Sequence, residues 1–299
     1  MLGDWGRRGG DFQKAVAAGM KWSANNDGGA RFVVTTGDNF YNTGVSDKQS
    51  SHWRESFLDI YGPLVNRPWF PSLGNHDYAG NPSAQLGGYD GTGWHMPQSS
   101  YVIRGSQFGH PEVDLFLIDT VMWNGGNSGL QKLISVRPGP GSSAALRSWL
   151  TDQLALSRAA IKLVFGHHPI YSVGPHGGTA QLPELERILK NAGVTAYING
   201  HDHCLYHISD PQLDYICSGG GSQELRKYTG GPVPGCVLPN DCANGAPPPA
   251  ARPQWQFYAG SAGHAVFDVS PAGVEFALIG RDMKELHRRR LPMRPVPSA

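Results

Sequence analysis

The sequence predicts an α/β fold, and three observations predict it. Short apolar runs of strand length recur, helical patterns fall between several of them, and glycine-led clusters of polar residues follow the runs. The strand candidates are Phe32 to Thr36, Trp69 to Leu73, Tyr101 to Ile103, Val113 to Ile118, Ile161 to Phe165 and Val194 to Ile198. Asp11 to Trp22 places Phe12, Val16, Ala17 and Met20 at helical spacing. Ser143 to Ser157 does the same with Leu146, Trp149, Leu150 and Leu154, and Pro183 to Asn191 with Leu185, Ile188 and Leu189 ahead of a Gly193 stop. Strands separated by helices argue for βαβ units in a layered α/β architecture. Further strand patterns stand at Ala265 to Val269 and Val274 to Leu278.

The sequence shows no internal repeat and no boundary between two domains, so residues 1–299 are read as one domain. It carries a turn-rich insertion around 230–253 and a basic, solvated tail around 287–299, which opens His287-Arg288-Arg289-Arg290. A formal charge of +1 gives no electrostatic reason to expect nucleic acid or an acidic membrane surface as partner. No run of about 18 apolar residues is present to span a bilayer. A small diffusing substrate fits that surface. The chain opens Met1-Leu2-Gly3-Asp4 without a basic and then apolar leader, and Leu2 alone is too little for a first strand. The expectation is that the natural chain begins upstream. Cys236 and Cys242 flank a Pro/Asn/Asp turn and are placed for a local disulfide. Cys204 and Cys217 close two short apolar segments that pair as a hairpin, either bridged or as buried thiols; a bridge in either pair would imply an oxidising compartment.

Chemistry concentrates in five segments: Gly3-Asp4-Trp5-Gly6, Gly37-Asp38-Asn39-Phe40-Tyr41, Gly74-Asn75-His76-Asp77, Gly166-His167-His168-Pro169 and Gly200-His201-Asp202-His203. In open α/β sheets ligands bind in the loops beyond the carboxyl ends of strands. Glycine ahead of each polar residue suits a tight exit where backbone approaches something bound. Alone, any one of these segments reads as an ordinary turn or a hydrogen-bonded core histidine. Together, Asp4, Asp38, Asn75, His167, His201 and His203 make the mixed oxygen and nitrogen set that first-row metals accept. Burying so many charged groups without a cation is costly.

The order GD, GDNxxY, GNHD, GHxP, GHDH resembles the calcineurin-like metallophosphoesterases, and within them the small purple acid phosphatases of the tartrate-resistant type. The resemblance runs from Asp4 to His203. It implies a four-layer α/β/β/α sandwich of two mixed sheets flanked by helices, with the metal site at the carboxyl ends of the strands. The wider superfamily opens with Asp-x-His, whose histidine is a ligand; Gly6 stands there in this chain, and Tyr41 supplies a phenolate that suits Fe(III). The resemblance implies that Asp4, Tyr41 and His203 hold Fe(III), that Asn75, His167 and His201 hold Fe(II), Zn(II) or Mn(II), and that Asp38 bridges. It also implies secretion or an oxidising, acidic compartment.

The implied reaction is hydrolysis of a phosphate monoester, with a small phosphorylated substrate and inorganic phosphate as product. Two cations about 3.5–4 Å apart lower the pKa of bound water from about 15.7 toward about 7 and clamp the phosphoryl oxygens. His76 matches the family histidine that contacts phosphate, and His176 matches a second near the leaving group, placed as general acid. Asp77 is expected to orient an imidazole. His168 is expected to pack or support, Asn39 to contact substrate or cap a turn, and Trp5 and Phe40 to wall the pocket. Two alternatives stand: a protein phosphatase or phosphodiesterase on the same scaffold, and a non-catalytic metal- or phosphate-binding protein.

Overall fold

Side-chain alternation divides the molecule into two cores, and the strands that do the dividing lie in sequence where apolar runs predict them. The computed structural model describes residues 1–26, 29–125, 142–225 and 253–294. Its strands are β1 (Val33–Thr36), β2 (Trp69–Ser72), β3 (Gly87–Gly88), β4 (His95–Met96), β5 (Tyr101–Arg104), β6 (Val113–Leu117) and β7 (Ile161–Phe165). They continue with β8 (Ala196–Asn199), β9 (Leu205–Ser209), β10 (Asp214–Ser218), β11 (Gln254–Ala259), β12 (Gly263–Ser270), β13 (Gly273–Gly280) and β14 (Glu285–Leu291). The three longest helices are α1 (Asp11–Asn26), α2 (Ser143–Leu156) and α3 (Pro183–Asn191). Helix α2 starts where the Ser142 hydroxyl accepts from the Ala145 amide at 3.1 Å.

A seven-stranded mixed sheet runs β11-β9-β10-β8-β7-β6-β5. In it β6, β7, β8 and β10 lie parallel, while β5, β9 and β11 are antiparallel to their neighbours. A second sheet is stitched together by the first two residues. Leu2 bridges Thr35 in parallel beside β1 and β2. On its other side Met1 exchanges backbone hydrogen bonds with Ala265 of β12, which leads into β13 and β14.

Leu115, Leu117, Leu163, Phe165, Ala196, Ile198 and Ile216 face one way, into a core shared with Leu2, Ala265 and Phe276. Phe116, Val164, Tyr197 and Tyr215 face the other, under Leu146, Leu150 and Leu154 of α2 and Leu185 and Leu189 of α3. Helix α1 packs on β12 and β13. The order is therefore helices, large sheet, second sheet, helix, as the period-two alternation of half-buried strands dictates.

The basic run is not a tail. His287, Arg288, Arg289 and Arg290 belong to β14, an edge strand paired to β13, with Arg288 salt-bridged to Glu275 and Glu285 at 2.6 Å. Charged side chains on an edge strand discourage pairing with a foreign strand, so the same residues that suggest a solvated tail suit this position. Cys204 and Cys217 are buried free thiols at the open end of the β9–β10 hairpin. The Cys236–Cys242 pair and almost all of the turn-rich insertion lie outside the described residues. Helix α1 runs one turn beyond Trp22, because Ser23 and Ala24 are also buried.

His264 of β12 is buried with Nε2 at 3.0 Å from the Ser23 hydroxyl of α1, while its Nδ1 has no partner. Burial, aided by the nearby N-terminal ammonium, pushes its pKa down to about 3. The fold thus keeps His264 neutral where the unfolded chain protonates it. Stability contributed by this site should decline as pH falls from about 6.5 to about 3 and stay level below, a total on the order of a few kcal/mol. Replacing His264→Gln should flatten the fall of melting temperature across that range, measured by thermal denaturation at a series of pH values.

Candidate metal centre

Three of the candidate ligands sit in backbone conformations that L-residues avoid. Asp4, Asp38 and His201 have φ of 60°, 48° and 67°. Each costs of order 1–3 kcal/mol and persists only where the surroundings over-determine it. The surroundings are visible: the Asp4 amide donates to Gly37 O at 3.0 Å, the Trp5 amide to Asp38 O at 3.2 Å, and the His201 amide to Asp4 Oδ2 at 2.8 Å. The loops after β1 and β8 and the Gly3–Trp5 turn thus lock one another.

The Tyr41 hydroxyl lies at the centre of one group of donors. It is 2.8 Å from Asp4 Oδ1, 2.8 Å from Asp38 Oδ2 and 3.0 Å from His203 Nε2. A single proton cannot serve both carboxylates. Burial first, then the charges of Asp38 and Asp4, raise the Tyr41 pKa well above its ordinary value, so that the phenol stays protonated until a positive charge is supplied. The second group centres on His167. Its Nδ1 is 2.9 Å from the Thr36 carbonyl, which only accepts, so Nδ1 carries a proton. Its Nε2 lies 3.0 Å from Asn75 Oδ1 and 3.1 Å from His201 Nδ1. Asp38 divides itself between the groups, with Oδ2 on Tyr41 and Oδ1 3.6 Å from His167 Nε2.

The electrostatics leave this cluster short of positive charge. Burial works to raise the Asp4 carboxyl and to lower His167, yet the attraction between the carboxylates and the imidazoles wins in both, leaving Asp4 depressed and His167 raised. His201 is pushed far down by burial and by its four imidazole neighbours, so it stays a neutral lone-pair donor. Buried oxygens and nitrogens of hard-to-borderline character, converging on two points, fit first-row metal ions.

The remaining sequence candidates fall around this cluster. His76 donates from Nδ1 to the Asn42 carbonyl at 2.5 Å and turns Nε2 inward, 3.9 Å from Asp38 Oδ2. The His176 ring lies tilted with its centroid 4.7 Å from that of His201, and its Nδ1 is 3.3 Å from Asp202 Oδ1. Hydrogen bonding to the buried Asp202 carboxylate raises its pKa against the pull of burial. Asp202 itself is fixed by the Ser172 hydroxyl and the His176 amide. The GHDH pattern shows Asp202 in sequence, but its partner lies across another loop.

Other expectations change. Asp77 touches no imidazole; it accepts from the Gly74, Asn39 and Phe40 amides at 2.9, 3.0 and 3.2 Å and from Gln85 Nε2 at 2.9 Å. It clamps the GDN and GNH loops together, and burial followed by the Asp38 charge pushes its pKa up to about 7. Asn39 contacts no substrate, being fully buried among Thr35, Trp5, Ser72 and Gln85. Trp5 and Phe40 wall no pocket. They are fully buried in an aromatic cluster with Trp53, Trp94, Phe57 and Trp69, since bulky apolar rings behind a polar loop are better packed than wetted.

His168 has a nitrogen close to those of His167 and His201. The Thr120 hydroxyl oxygen accepts from the His167 and His168 amides at 3.2 and 3.0 Å, so its one proton goes to His168 Nδ1, 3.0 Å away. His168 is therefore a neutral Nε2–H tautomer. Burial, then His167, pushes its pKa down to about 3. Thr120 carries no sequence signal.

Residues 1–205 match the calcineurin-like phosphoesterase family. The chain belongs to that family. It is 33% identical to tartrate-resistant acid phosphatase type 5 of Mus musculus over 290 residues, 90% of this chain and 81% of the relative. It is 35% identical to purple acid phosphatase 17 of Arabidopsis thaliana over 243 residues, 76% and 68% of the two chains. Among solved structures, "GAP50 the anchor in the inner membrane complex of Plasmodium" superposes with a TM-score of 0.75 at 25% identity, covering 98% of this chain and 87% of that one. A purple acid phosphatase from yellow lupin seeds gives a TM-score of 0.67 at 13% identity, over 96% and 52%. Gly6, where the resemblance leads one to expect a histidine, has no room for a side chain. A Cβ added at Gly6 would stand 1.9 Å from the Asn39 carbonyl oxygen.

Gly6→Ala and Gly6→His should therefore both destabilise, by about 1–3 kcal/mol or more, through the backbone clash. Thermal melts decide it: a Gly6→His variant as stable as the parent and with tighter metal binding would show that the position tolerates a ligand.

Proposed function

We propose that this chain hydrolyses phosphate monoesters at a dinuclear metal centre. Asp4, Tyr41 and His203 would hold one ion, Asn75, His167 and His201 the other, and Asp38 would lie between them. The observation that carries the reading is the division of Asp38, one oxygen in each group of converging lone pairs. The buried phenol selects Fe(III) for the Tyr41 side, and the nitrogen-rich side accepts Fe(II), Zn(II) or Mn(II). When bound, such a pair supplies Lewis-acid activation of water and neutralises phosphoryl charge.

The chain's own groups do the rest. His76, held by the Asn42 carbonyl, offers Nε2 to a phosphoryl oxygen at the edge of the cluster. His176, kept protonated to higher pH by Asp202, gives its proton to the departing alkoxide. Strained ligand residues on short loops after strands keep the geometry fixed before substrate arrives. The substrate is a small phosphorylated molecule and the product inorganic phosphate; neither nucleic acid nor membrane is part of the reading. The acid and plant phosphatase relatives support it, as does a proton donor whose active form is favoured in mild acid, the condition expected of a secreted or acidic compartment.

The likeness to a Plasmodium anchor protein favours one second reading, a fold retained for binding alone. Turnover of an aryl phosphate at mildly acidic pH, by protein reconstituted with iron and zinc, separates the two. Activity supports the hydrolase; none under any metal supply leaves the binding protein. Iron-loaded protein should also show a visible charge-transfer band that Tyr41→Phe abolishes.

Removing the donor should lower kcat by about 10²-fold or more in His176→Ala, most for alkyl phosphates whose leaving groups need the proton. Since Asp202 raises the His176 pKa, Asp202→Asn should move the alkaline limb of the kcat profile to lower pH while leaving the acid limb in place. A pH–rate series on both variants checks each direction.

A further inference from the structure

The first loop carries a cation that the hydrolytic reading leaves unused. The Arg7 guanidinium carbon lies 3.7 Å from the centroid of the Tyr41 ring, squarely over its face. Its Nη1 reaches Asn42 Oδ1 at 3.4 Å, and its Nε is buried without a partner. The backbone beneath is fixed. The Arg7 and Gly9 amides both donate to Gln13 Oε1, at 3.0 and 2.9 Å, and the buried Gln13 donates in turn to the Ser56 carbonyl at 2.7 Å. The backbone that carries the group is thus fixed by a small buried network, and the guanidinium rests on the ring from that base.

We propose that Arg7 is a positioning residue that sets the donor strength of Tyr41 toward whatever its oxygen binds. The inference rests on the reading of Tyr41 as the Fe(III) ligand. A cation over an aromatic face is attracted to the ring's electron density, and the attraction grows when the phenol becomes a phenolate. The guanidinium sits over the ring centre, whereas the hydroxyl oxygen lies at the ring edge and a metal lies beyond it. By Coulomb's law the nearer partner feels the charge more strongly, and burial of the Tyr41 ring limits how far water screens the difference. Arg7 therefore stabilises the filled ring orbitals more than the metal's acceptor orbitals. Charge transfer from Tyr41 then requires more energy, and the absorption band lies at shorter wavelength than the ring alone would give. The same positive charge favours the reduced over the oxidised metal.

The test compares the iron-reconstituted full-length protein with Arg7→Met, which keeps the stem but removes the charge, and with Arg7→Lys, which keeps the charge but not the planar stacking. Arg7→Met should shift the visible band to longer wavelength and lower the reduction potential of the tyrosinate-bound iron; Arg7→Lys should shift both part of the way. A band and potential unchanged in Arg7→Met overturn the inference while leaving the hydrolytic reading intact. If the parent protein shows no band that Tyr41→Phe removes, the assignment of Tyr41 itself fails, and this inference with it. Should Arg7→Met not fold, Arg7→Gln decides, since it also removes the charge and an unshifted band and potential there likewise overturn the inference.

Discussion

Two buried carboxylates share one small space at the meeting of the loops. Asp4 and Asp38 both approach the Tyr41 hydroxyl, and His167 and His203 crowd against them, each through Nε2. Like charges so placed in a low-dielectric interior repel, and imidazoles relieve this only by taking up protons. Much of the architecture reads as the means of forcing that crowding. Left-handed backbone at Asp4, Asp38 and His201 aims the side chains, and Asp77 ties two of the loops by their amides. Strain of that kind is retained where it serves binding, because a sheet-end loop free to relax would turn its carboxylate to water.

The sheets supply the rigidity this requires. The loops that carry Asp38, Asn75, His167 and His201 follow β1, β2, β7 and β8, all strands buried along their full length. Tying Met1 and Leu2 between β1 and β12 adds Asp4 to the same rim. A site built on strand ends inherits the strands' precision, whereas the walls behind it are packed aromatic core.

Sequence legibility followed the range of the interaction. Strand and helix positions were readable because burial repeats at periods of two and 3.6, and the glycine-led polar clusters were readable because each sits beside its own strand. What pairs across the chain was not. Asp202 looked like a member of the GHDH pattern, yet its work is done on His176 from a different loop. Asp77 was expected beside an imidazole and instead holds backbone amides, which carry no sequence label. Thr120 meets His167 and His168, and Arg7 meets Tyr41, through contacts that no local pattern announces. The arginines of β14 misled for the converse reason: an exposed edge strand and a solvated tail have the same composition.

Gly6 and Tyr41 illustrate why two substitutions in distant motifs are one structural decision. The Tyr41 amide donates to the Gly6 carbonyl at 2.8 Å, so the two loops are joined where they cross. That crossing is close enough that any side chain at position 6 would collide with the Asn39 carbonyl. It is also what carries the Tyr41 hydroxyl over to Asp4. A histidine at position 6 would have to push the loops apart, and with them the phenol away from the carboxylates; a tyrosine at 41 needs them together. Backbone contact at this crossing thus favours a phenol from position 41 over any side chain at position 6. A phenol fits the closed crossing, and the absence of a side chain at Gly6 is its steric condition.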